Sequence, residues 1–365
     1  MGSLPRSISP LRPARHGSLR ARLHDSSSRS PVAEKRFPAI PKGSEGTAGA
    51  GLDDRPGSLV GLQNLGNTCF INTCVQCLSS LAPFCGFFLS NNHMFQLNKD
   101  SSMKGTLALS FGELLHKISH GAAFTSVSAA TLRERVGKFA PQFTGARQHD
   151  CQELLRFLLD GLHEDLRLSI TTNALMDIYD YQQLYENAAS AQAAMVQYYD
   201  GNFSEIISSF GGQLVSILKC GTCGHTSNCF DPFLDLSLPF PEESQVREGE
   251  AAASSESRTS RPVELLDCFG AFCGTETLDG DNMYMCDTCG CRREASKQLR
   301  LVRVPQIMVV HIKRFCYTST AREKLVTALS FPETGLDLSP FTVEGGGGRG
   351  GTAPIYDLKA VSLHR

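Results

Sequence analysis

The chain has 365 residues, of which 41% are hydrophobic and 20% charged, and its formal net charge is −2. This composition is typical of a globular protein with a sizeable core, and it excludes collagenous and wholly disordered classes. A net charge so close to zero does not favour binding to nucleic acid or to an anionic membrane. No run reaches the roughly eighteen apolar residues of a membrane span, and no secretory signal is recognised, so we expect no membrane span.

Residues 1–57 differ in amino-acid composition from the rest of the chain. They are rich in Ser, Arg, Pro and Gly, carry an excess of basic residues, and show no hydrophobic period. An Arg- and Ser-rich start is also typical of a mitochondrial transit peptide, but Pro5, Pro10 and Pro13 would break the amphipathic helix that such a peptide forms. We therefore predict a disordered basic tail over 1–57 and a folded domain over 58–365.

Helical periodicity dominates the first half of the domain. The spacing of apolar residues predicts one helix from Phe70 to Leu81, a second from Leu107 to Ile118 and a third from Cys151 to Leu166. Residues 172–199 are predicted to be helical as well.

In the second half of the domain, apolar residues recur with a period of two, which is typical of strands. Strands are predicted over Leu214–Leu218 and Phe230–Leu238, and a well-buried strand over Ile307–Phe315. The polar segment 242–262 is predicted to be a disordered insertion, and the glycine run 345–351 a flexible loop. Helices followed by strands, without a repeating βαβ order, predict an α+β fold.

The cysteines indicate a reducing compartment and a metal site. Fourteen cysteines without a secretory signal argue against a disulfide framework, so a cytoplasmic or nuclear protein is expected. Four of them form two C-x-x-C pairs, the arrangement that gives Zn²⁺ four tetrahedral thiolates and leaves no open position for catalysis. We predict a structural zinc site with Cys229 or Cys291 as possible replacements for the fourth ligand; its ligands are Cys220, Cys223, Cys286 and Cys289.

Residues 61–78, GLQNLGNTCFINTCVQCL, carry the second chemical signal. Cys69 stands where a loop rich in Gly and Asn meets the start of a helix, where backbone N–H groups stabilise a thiolate. Asn64 offers a side-chain amide to an oxyanion, as acyl transfer requires. Ordinary core cysteines are the alternative interpretation, which helical periodicity favours for Cys74 but not for Cys69.

This segment resembles the cysteine box of the ubiquitin-specific proteases, a family of papain-like deubiquitinases. Gln148–Leu154 (QHDCQEL) resembles the family's Q-[QH]-D-[AV]-[QH]-E-[FL] motif, with Cys151 in place of Ala or Val. Residues 214–223 and 230–239 resemble the strands that enter its zinc ribbon, and His311–Phe315 resembles its H-[LI]-[KN]-R-F strand. The order and spacing of the motifs agree over 58–364.

The resemblance implies a hand-shaped cysteine protease domain with a thumb, a palm and zinc-tipped fingers, which cleaves the bond after ubiquitin's C-terminal glycine. It makes Cys69 the nucleophile and Asn64 the oxyanion donor. Gln148 and Asp150 would line the channel for ubiquitin's tail, with Asp150 suited to the basic residues of that tail. The implied partners are ubiquitin and ubiquitinated proteins.

The family's general base has no counterpart in this sequence. The base is a histidine in a G-H-Y strand, whereas His364 matches an earlier family histidine and the sequence stops at Arg365. His149 and His311 are interpreted as structural histidines, either polar residues whose ring nitrogen atoms have hydrogen-bond partners or residues of the core. The domain is therefore predicted to be incomplete at its C-terminus, as a truncated record of an enzyme.

Two alternatives accompany the deubiquitinase interpretation. One is a non-catalytic ubiquitin-binding protein, because acyl transfer by Cys69 loses orders of magnitude in rate without a base. The other is a zinc-ribbon protein that binds nucleic acid through the basic residues following the ribbon. That alternative leaves the order of the remaining motifs unexplained, and we expect no nucleic-acid partner.

Overall fold

A computed structural model describes residues 60–120, 126–145, 147–169, 187–245, 262–317, 322–347 and 353–363. Several predictions fall outside these ranges, namely the tail 1–57, the helix over 172–186, the insertion over 246–261 and the loop over 348–351. His364 also lies outside them. All described residues belong to one compact unit, Arg55–Arg365.

Helices form the first half of the unit. In chain order they are α1 (Cys69–Ser79), α2 (Ala82–Leu89), α3 (Asn92–Phe95), α4 (Thr106–Ser119), α5 (Ala130–Phe139), α6 (Cys151–Leu166), α7 (Ala188–Tyr198), α8 (Glu205–Phe210) and, later in the chain, α9 (Leu265–Phe272). The three helices predicted from apolar spacing are confirmed as α1, α4 and α6. The fourth prediction is confirmed over α7.

The helical core is built around aromatic rings contributed by separate helices. Phe84, Phe88, Phe111 and Phe210 are completely buried, and the ring centroids of Phe84 and Phe210 lie 5.1 Å apart in an edge-on contact. Phe88 and Phe111 meet in the same way at 5.0 Å. Each buried ring removes enough apolar surface from water to contribute about 2–3 kcal/mol to folding. The periodic apolar faces of α1, α4 and α6 therefore pack into one core.

Asp165 joins two of these helices through a buried carboxylate. It lies near the end of α6 and is completely buried. Its Oδ1 accepts hydrogen bonds from Ser101 Oγ (2.6 Å) and Gly105 N (3.0 Å), and its Oδ2 accepts from Leu107 N (2.9 Å) and Ala108 N (3.1 Å). The residue that precedes α4 is Gly105, which has no side chain to cap that helix, so the carboxylate of α6 satisfies its first N–H groups instead.

Strands form the second half and several short pairings elsewhere. They are β1 (Gly61–Leu62), β2 (Ser126–Val127), β3 (Leu168–Ser169), β4 (Asn202–Phe203), β5 (Gly212–Cys220), β6 (Thr226–Phe233), β7 (Leu236–Leu238), β8 (Val263–Glu264), β9 (Thr275–Leu278), β10 (Tyr284–Cys286), β11 (Cys291–Arg293), β12 (Ala295–Arg303), β13 (Val310–Ile312), β14 (Phe315–Tyr317), β15 (Arg322–Lys324), β16 (Leu329–Ser330), β17 (Leu336–Asp337), β18 (Thr342–Gly347) and β19 (Ile355–Tyr356).

The largest sheet has five strands. Its order is β18-β12-β5-β6, and β9 also pairs with β12. The long antiparallel pair of β5 and β12 runs from Leu214 opposite Leu301 to Cys220 opposite Ala295. A second core, which includes Leu236, Phe240 and Phe269, lies beneath the shorter strands. The predicted α+β class is confirmed.

Two predicted strands are shorter than expected. Phe230–Leu238 divides into β6 and β7, because the carboxylate of Asp235 turns toward α6 between them. The prediction of one well-buried strand over Ile307–Phe315 is wrong. The segment contains β13 and the start of β14, and its side chains are half-buried or exposed, since among the described residues β13 pairs only with β7.

The predicted boundaries of two irregular segments also differ. Glu242–Ser244 forms a 3-10 turn, so the described start of the predicted insertion 242–262 has local structure. Residues 345–347 of the predicted flexible loop belong to β18, where Gly347 pairs with Arg303. The strand β18 thus extends into the glycine run, and its last residue pairs with β12.

Within the described ranges, no single helix has both the length and the apolar composition to cross a membrane. Helices α1 and α2, which meet at a bend of 93°, satisfy that test jointly on length and composition alone.

Replacing Asp165 by Asn should destabilise the fold by about 3 kcal/mol, because an amide presents only one acceptor oxygen to the two pairs of donors. Urea unfolding followed by circular dichroism measures this free energy. Glu164→Gln is the matched control, since Glu164 is the preceding residue and its side chain is 41% exposed. Equal midpoints for the two variants would contradict the role given to Asp165.

Candidate functional site

Cys69 is the first residue of α1 and is exposed to solvent. The loop before it turns sharply at Gly66 and Asn67, whose φ angles of +91° and +50° lie in the left-handed region. This turn brings the loop to the N-terminal end of α1, where the helix dipole favours a negative charge. The prediction of an accessible cysteine at a helix start is confirmed for Cys69, whereas Cys74 is buried as periodicity predicted.

Asn64 organises the loop around Cys69. Its Oδ1 accepts hydrogen bonds from Gly66 N (3.1 Å), Thr68 N (3.2 Å) and Thr68 Oγ1 (3.2 Å). Among the described residues, no hydrogen bond uses its Nδ2 group, and Asn64 is exposed. The side chain therefore holds the loop with its oxygen and leaves its amide hydrogens for a ligand.

Arg133, which sequence reasoning missed, supports the same loop. It lies on α5, and its guanidinium donates from Nη1 to Leu65 O (3.0 Å) and from Nη2 to Gly145 O (2.7 Å). A second support comes from α1 itself, where Asn72 Nδ2 donates to Gln63 O at 3.1 Å. No local motif marks Arg133, because both of its partners are backbone carbonyls that are distant in sequence.

The predicted substrate-binding segment lies beside α1. Asp150 is the N-cap of α6, and its Oδ1 accepts from Gln152 N at 2.8 Å. The ring of His149 packs between Phe70 and Phe143, with centroid distances of 5.1 and 5.2 Å. Phe70 follows Cys69 directly, so this contact brings the segment next to the start of α1. Gln148 is exposed.

Asp235 adds a carboxylate that the sequence did not single out. Its side chain is 4% exposed, and it accepts from Gln152 Nε2 at 2.7 Å and pairs with Arg156 Nε at 3.3 Å. This interaction connects the first turns of α6 to the chain just before β7.

His311 is a satisfied polar histidine at the same end of α6. Its Nδ1 lies 3.0 Å from Ser237 Oγ on β7. Burial lowers the pKa of His311 from 6.5, against the opposing influence of the Asp150 and Asp235 carboxylates. The ring is therefore neutral at pH 7.

A second group of chemically significant residues lies at the tip of the long sheet. The sulfur atoms of Cys220, Cys223, Cys286 and Cys289 all lie within 4.8 Å of one another, and those of Cys223 and Cys286 are 3.6 Å apart. Four thiolates at about 2.3 Å from a tetrahedral metal ion would have sulfur separations of about 3.8 Å. The four cysteines therefore fit a metal ion, and Cys229 and Cys291 are not members of the group.

Two matching turns bring these sulfur atoms together. Gly224 N donates to Cys220 O at 3.0 Å, and Gly290 N donates to Cys286 O at 2.9 Å, each glycine having a φ near +70°. The hydrogen bond from the Cys223 N–H lowers the pKa of Cys220 to about 6, so this sulfur readily carries the negative charge that a metal ligand needs. The pairing of Cys220 with Ala295 places the two turns at the same end of the sheet.

A helical lobe with an exposed cysteine at a helix start, joined to a long sheet with four cysteines at its tip, is the arrangement expected of a hand-shaped cysteine protease domain. Residues 60–365 match the family model described as Ubiquitin carboxyl-terminal hydrolase. The chain belongs to this family, as one of its ubiquitin-specific proteases.

Individual relatives agree with the family match. Ubiquitin carboxyl-terminal hydrolase 2 of Rattus norvegicus is 34% identical over 84% of the chain, and the protein of the same name from Gallus gallus is 36% identical over 84%. The chain spans about half the length of the mammalian proteins (46% for rat) and 80% of the chicken protein.

Solved structures show the same fold. A structure of the SAGA Ubp8/Sgf11/Sus1/Sgf73 DUB module bound to ubiquitin aldehyde matches with a TM-score of 0.55 at 22% identity, over 79% of this chain and 55% of that one.

Replacing Arg133 by Ala should release the loop before α1, since two carbonyl partners lose their donor. We expect hydrogen exchange of the amides of residues 64–68 to accelerate about tenfold, which corresponds to about 1.4 kcal/mol. Arg135→Ala on the same helix is the control, because Arg135 pairs with Glu134 at 3.9 Å and, among the described residues, makes no hydrogen bond to the loop. Unchanged exchange in Arg133→Ala would show that the loop does not depend on this residue.

Proposed function

We propose that the chain is a thiol-dependent deubiquitinase that hydrolyses the bond after ubiquitin's C-terminal glycine. The observation that carries this proposal is Cys69, an exposed thiol at the first residue of α1 in a domain of the ubiquitin carboxyl-terminal hydrolase family. The full activity, the substrates and the partners belong to this proposal, because the chain spans less than half the length of the rat relative.

In the proposed reaction, the thiolate of Cys69 attacks the carbonyl carbon of the terminal glycine and forms a tetrahedral oxyanion. The N-terminal end of α1 favours the thiolate, and the free Nδ2 group of Asn64 donates to the oxyanion. Because the oxygen of the same Asn64 side chain is fixed by three hydrogen bonds, its amide is oriented before the substrate arrives. Collapse of the oxyanion expels the amine and leaves an acyl-enzyme for water to hydrolyse.

Acyl transfer also needs a group that takes the thiol proton and later protonates the leaving amine. Among the described residues, no histidine is hydrogen-bonded to Cys69. His149 lies between two phenylalanine rings, and His311 bonds to Ser237. The proposal therefore assigns the nucleophile and the oxyanion donor without a base, so ubiquitin binding and hydrolysis need separate measurements.

Substrate recognition is assigned to the start of α6. Asp150 presents an exposed carboxylate at this end of the helix, suited to the basic residues of ubiquitin's tail, and the buried Asp235 supports this end of α6 through Gln152 and Arg156. Gln148 is also exposed and can donate or accept hydrogen bonds along an extended peptide.

We further propose that the four-cysteine group holds a structural Zn²⁺ ion. Four thiolates satisfy the tetrahedral preference of zinc and leave no coordination position for water or substrate. The ion would fix the ends of β5 and β12, which extend beyond the nearest core cluster.

The proposed nucleophile is tested by hydrolysis of a fluorogenic ubiquitin C-terminal amide. Cys69→Ala should reduce kcat/KM at least about 10³-fold, because the variant lacks the proposed nucleophile. Cys229→Ser, which changes another exposed cysteine, should retain activity. Binding of ubiquitin to Cys69→Ala is measured by calorimetry, and binding without hydrolysis by the unmodified chain would support the non-catalytic alternative.

Asn64 is tested by two substitutions that separate its two roles. Asn64→Ala removes both the loop acceptor and the amide donor, whereas Asn64→Asp retains an acceptor for Gly66 and Thr68 and removes the donor. Both should lower kcat by about 10²-fold or more. Retained kcat in Asn64→Asp would contradict the role as oxyanion donor.

The zinc proposal predicts one equivalent of zinc in the purified chain by elemental mass spectrometry. Cys220→Ser and Cys286→Ser should each lose this zinc and unfold at a lower temperature, since metal binding stabilises the folded state. Cys229→Ser should retain the zinc. Full zinc content in a Cys223→Ser, Cys289→Ser double variant would contradict the assigned ligands.

A further inference from the structure

Thr68 is the N-cap residue of α1, but its side chain does not cap that helix. An N-cap threonine ordinarily accepts a hydrogen bond from an N–H group in the first turn, and among the described residues the Thr68 side chain accepts none there. Only its backbone oxygen takes part in the helix, accepting from Asn72 N at 3.0 Å. Thr68 is 2% exposed, so its hydroxyl is directed toward the loop that precedes α1 and not toward solvent.

The Thr68 hydroxyl joins two parts of this loop. Its Oγ1 accepts a hydrogen bond from Leu65 N at 2.9 Å and lies 3.2 Å from Asn64 Oδ1. Two backbone N–H groups, those of Gly66 (3.1 Å) and Thr68 (3.2 Å), also point at the same Asn64 oxygen. Because an amide oxygen can only accept, the Thr68 hydroxyl is the donor in its contact with Asn64. A chain of hydrogen bonds therefore runs from the Leu65 N–H through Oγ1 to Oδ1.

This chain has two effects on the carboxamide of Asn64. Hydrogen bonds in a chain strengthen one another, because each donor polarises the group to which it bonds. Donation to Oδ1 draws electron density from the amide nitrogen, so the Nδ2–H groups become better donors. The hydroxyl also opposes a 180° rotation of the carboxamide, since a rotated side chain would present its NH₂ group to three donors. Orientation and polarisation both favour donation to an oxyanion.

A second chain reaches the same oxygen from a positive charge. Arg133 Nη1 donates to Leu65 O at 3.0 Å, and this carbonyl belongs to the same peptide group as the Gly66 N–H that donates to Asn64 Oδ1. The second chain does not pass through the Thr68 hydroxyl, so it remains when that hydroxyl is removed. Loss of the hydroxyl should therefore weaken the Asn64 donor without abolishing it.

We propose that Thr68 is a positioning residue for the oxyanion donor, with a hydroxyl that fixes and polarises the carboxamide of Asn64 for the attack by Cys69. This role rests on the proposed function, in which Asn64 donates to the oxyanion. Thr68 acts through Asn64, and the oxyanion exists only in the transition state and the tetrahedral intermediate. Removal of the hydroxyl should therefore lower kcat and leave KM, which depends on ubiquitin binding, unchanged.

The test measures hydrolysis of the fluorogenic ubiquitin C-terminal amide by the full chain and its variants. Thr68→Val has nearly the same shape without the hydroxyl and should lower kcat about tenfold, a smaller loss than in Asn64→Asp. Thr68→Ala, which places no methyl group against Asn64 Oδ1, should lose a similar factor, and Thr68→Ser should retain kcat. Thr106→Val is the matched control, because the Thr106 hydroxyl donates to Met103 O at 2.7 Å at the start of a different helix, α4. It should keep the kcat of the unmodified chain.

Nuclear magnetic resonance tests the same role without turnover. The side-chain NH₂ signal of Asn64, assigned by its absence from the spectrum of Asn64→Asp, reports the polarisation of the carboxamide. Its nitrogen resonance should move upfield in Thr68→Val and Thr68→Ala, because a carbonyl that loses a donor withdraws less electron density from the nitrogen. The resonance should keep its position in Thr68→Ser and in Thr106→Val.

Three outcomes would overturn the role given to Thr68: an unchanged kcat in folded Thr68→Val and Thr68→Ala, an unchanged Asn64 resonance in both, or an equal loss of kcat in Thr68→Ser. The last outcome would show that the shape of the side chain matters and the hydroxyl does not. An unmodified chain that binds ubiquitin without hydrolysing the amide would instead contradict the proposed function. In that case the Asn64 resonance alone decides whether Thr68 polarises the carboxamide.

Discussion

The arrangement of the helical lobe depends on α6 having a carboxylate at each end. At its C-terminal end, Asp165 is buried and is stabilised by four donors, three of which are backbone N–H groups at the start of α4. A buried charge is tolerated only when such donors surround it, so α4 and α6 are fixed relative to each other. At the other end, Asp150 caps α6 and presents the segment that packs beside Cys69. One helix thus carries both the anchor of the lobe and part of the candidate site.

The outer end of the long sheet extends beyond the nearest core cluster, so apolar packing contributes little to its stability. The antiparallel register of β5 and β12 aligns Cys220 with Ala295, and tight turns with glycine at positive φ then bring four sulfur atoms together. A sheet end with little apolar support is stabilised by a metal ion more readily than by side-chain packing. The same register requirement explains why the cysteines occur as two pairs separated by a long stretch of sequence.

The helices with a clear apolar period were predictable because each buries a face against the core, and the period reports that face directly. The strands were less predictable from the sequence than the helices. The stretch Ile307–Phe315 is apolar enough for a buried strand, yet Arg314 turns to donate to Thr327 O at 2.7 Å and lies over the ring of Phe240, which ends the extended run. Glycines 345–347 have no intrinsic preference for a strand, and their strand β18 is defined by its pairing with β12, which Gly347 makes opposite Arg303. The alternation of apolar and polar residues in a sequence does not show which other strand a segment will pair with.

The sequence by itself determined the residue types that carry the chemistry: a cysteine at a helix start, an asparagine five residues before it, and two pairs of thiols with the spacing of metal ligands. These signals are local, because a helix start and a knuckle turn are each completed within a few residues. The tertiary structure alone decided that Arg133 supports the cysteine loop and that Asp235 joins the start of α6, where Asp150 is the N-cap. These contacts join residues that are far apart in the chain, and their partners are backbone carbonyls or side chains that no spacing rule connects. Such contacts exist only once the helices and strands have packed.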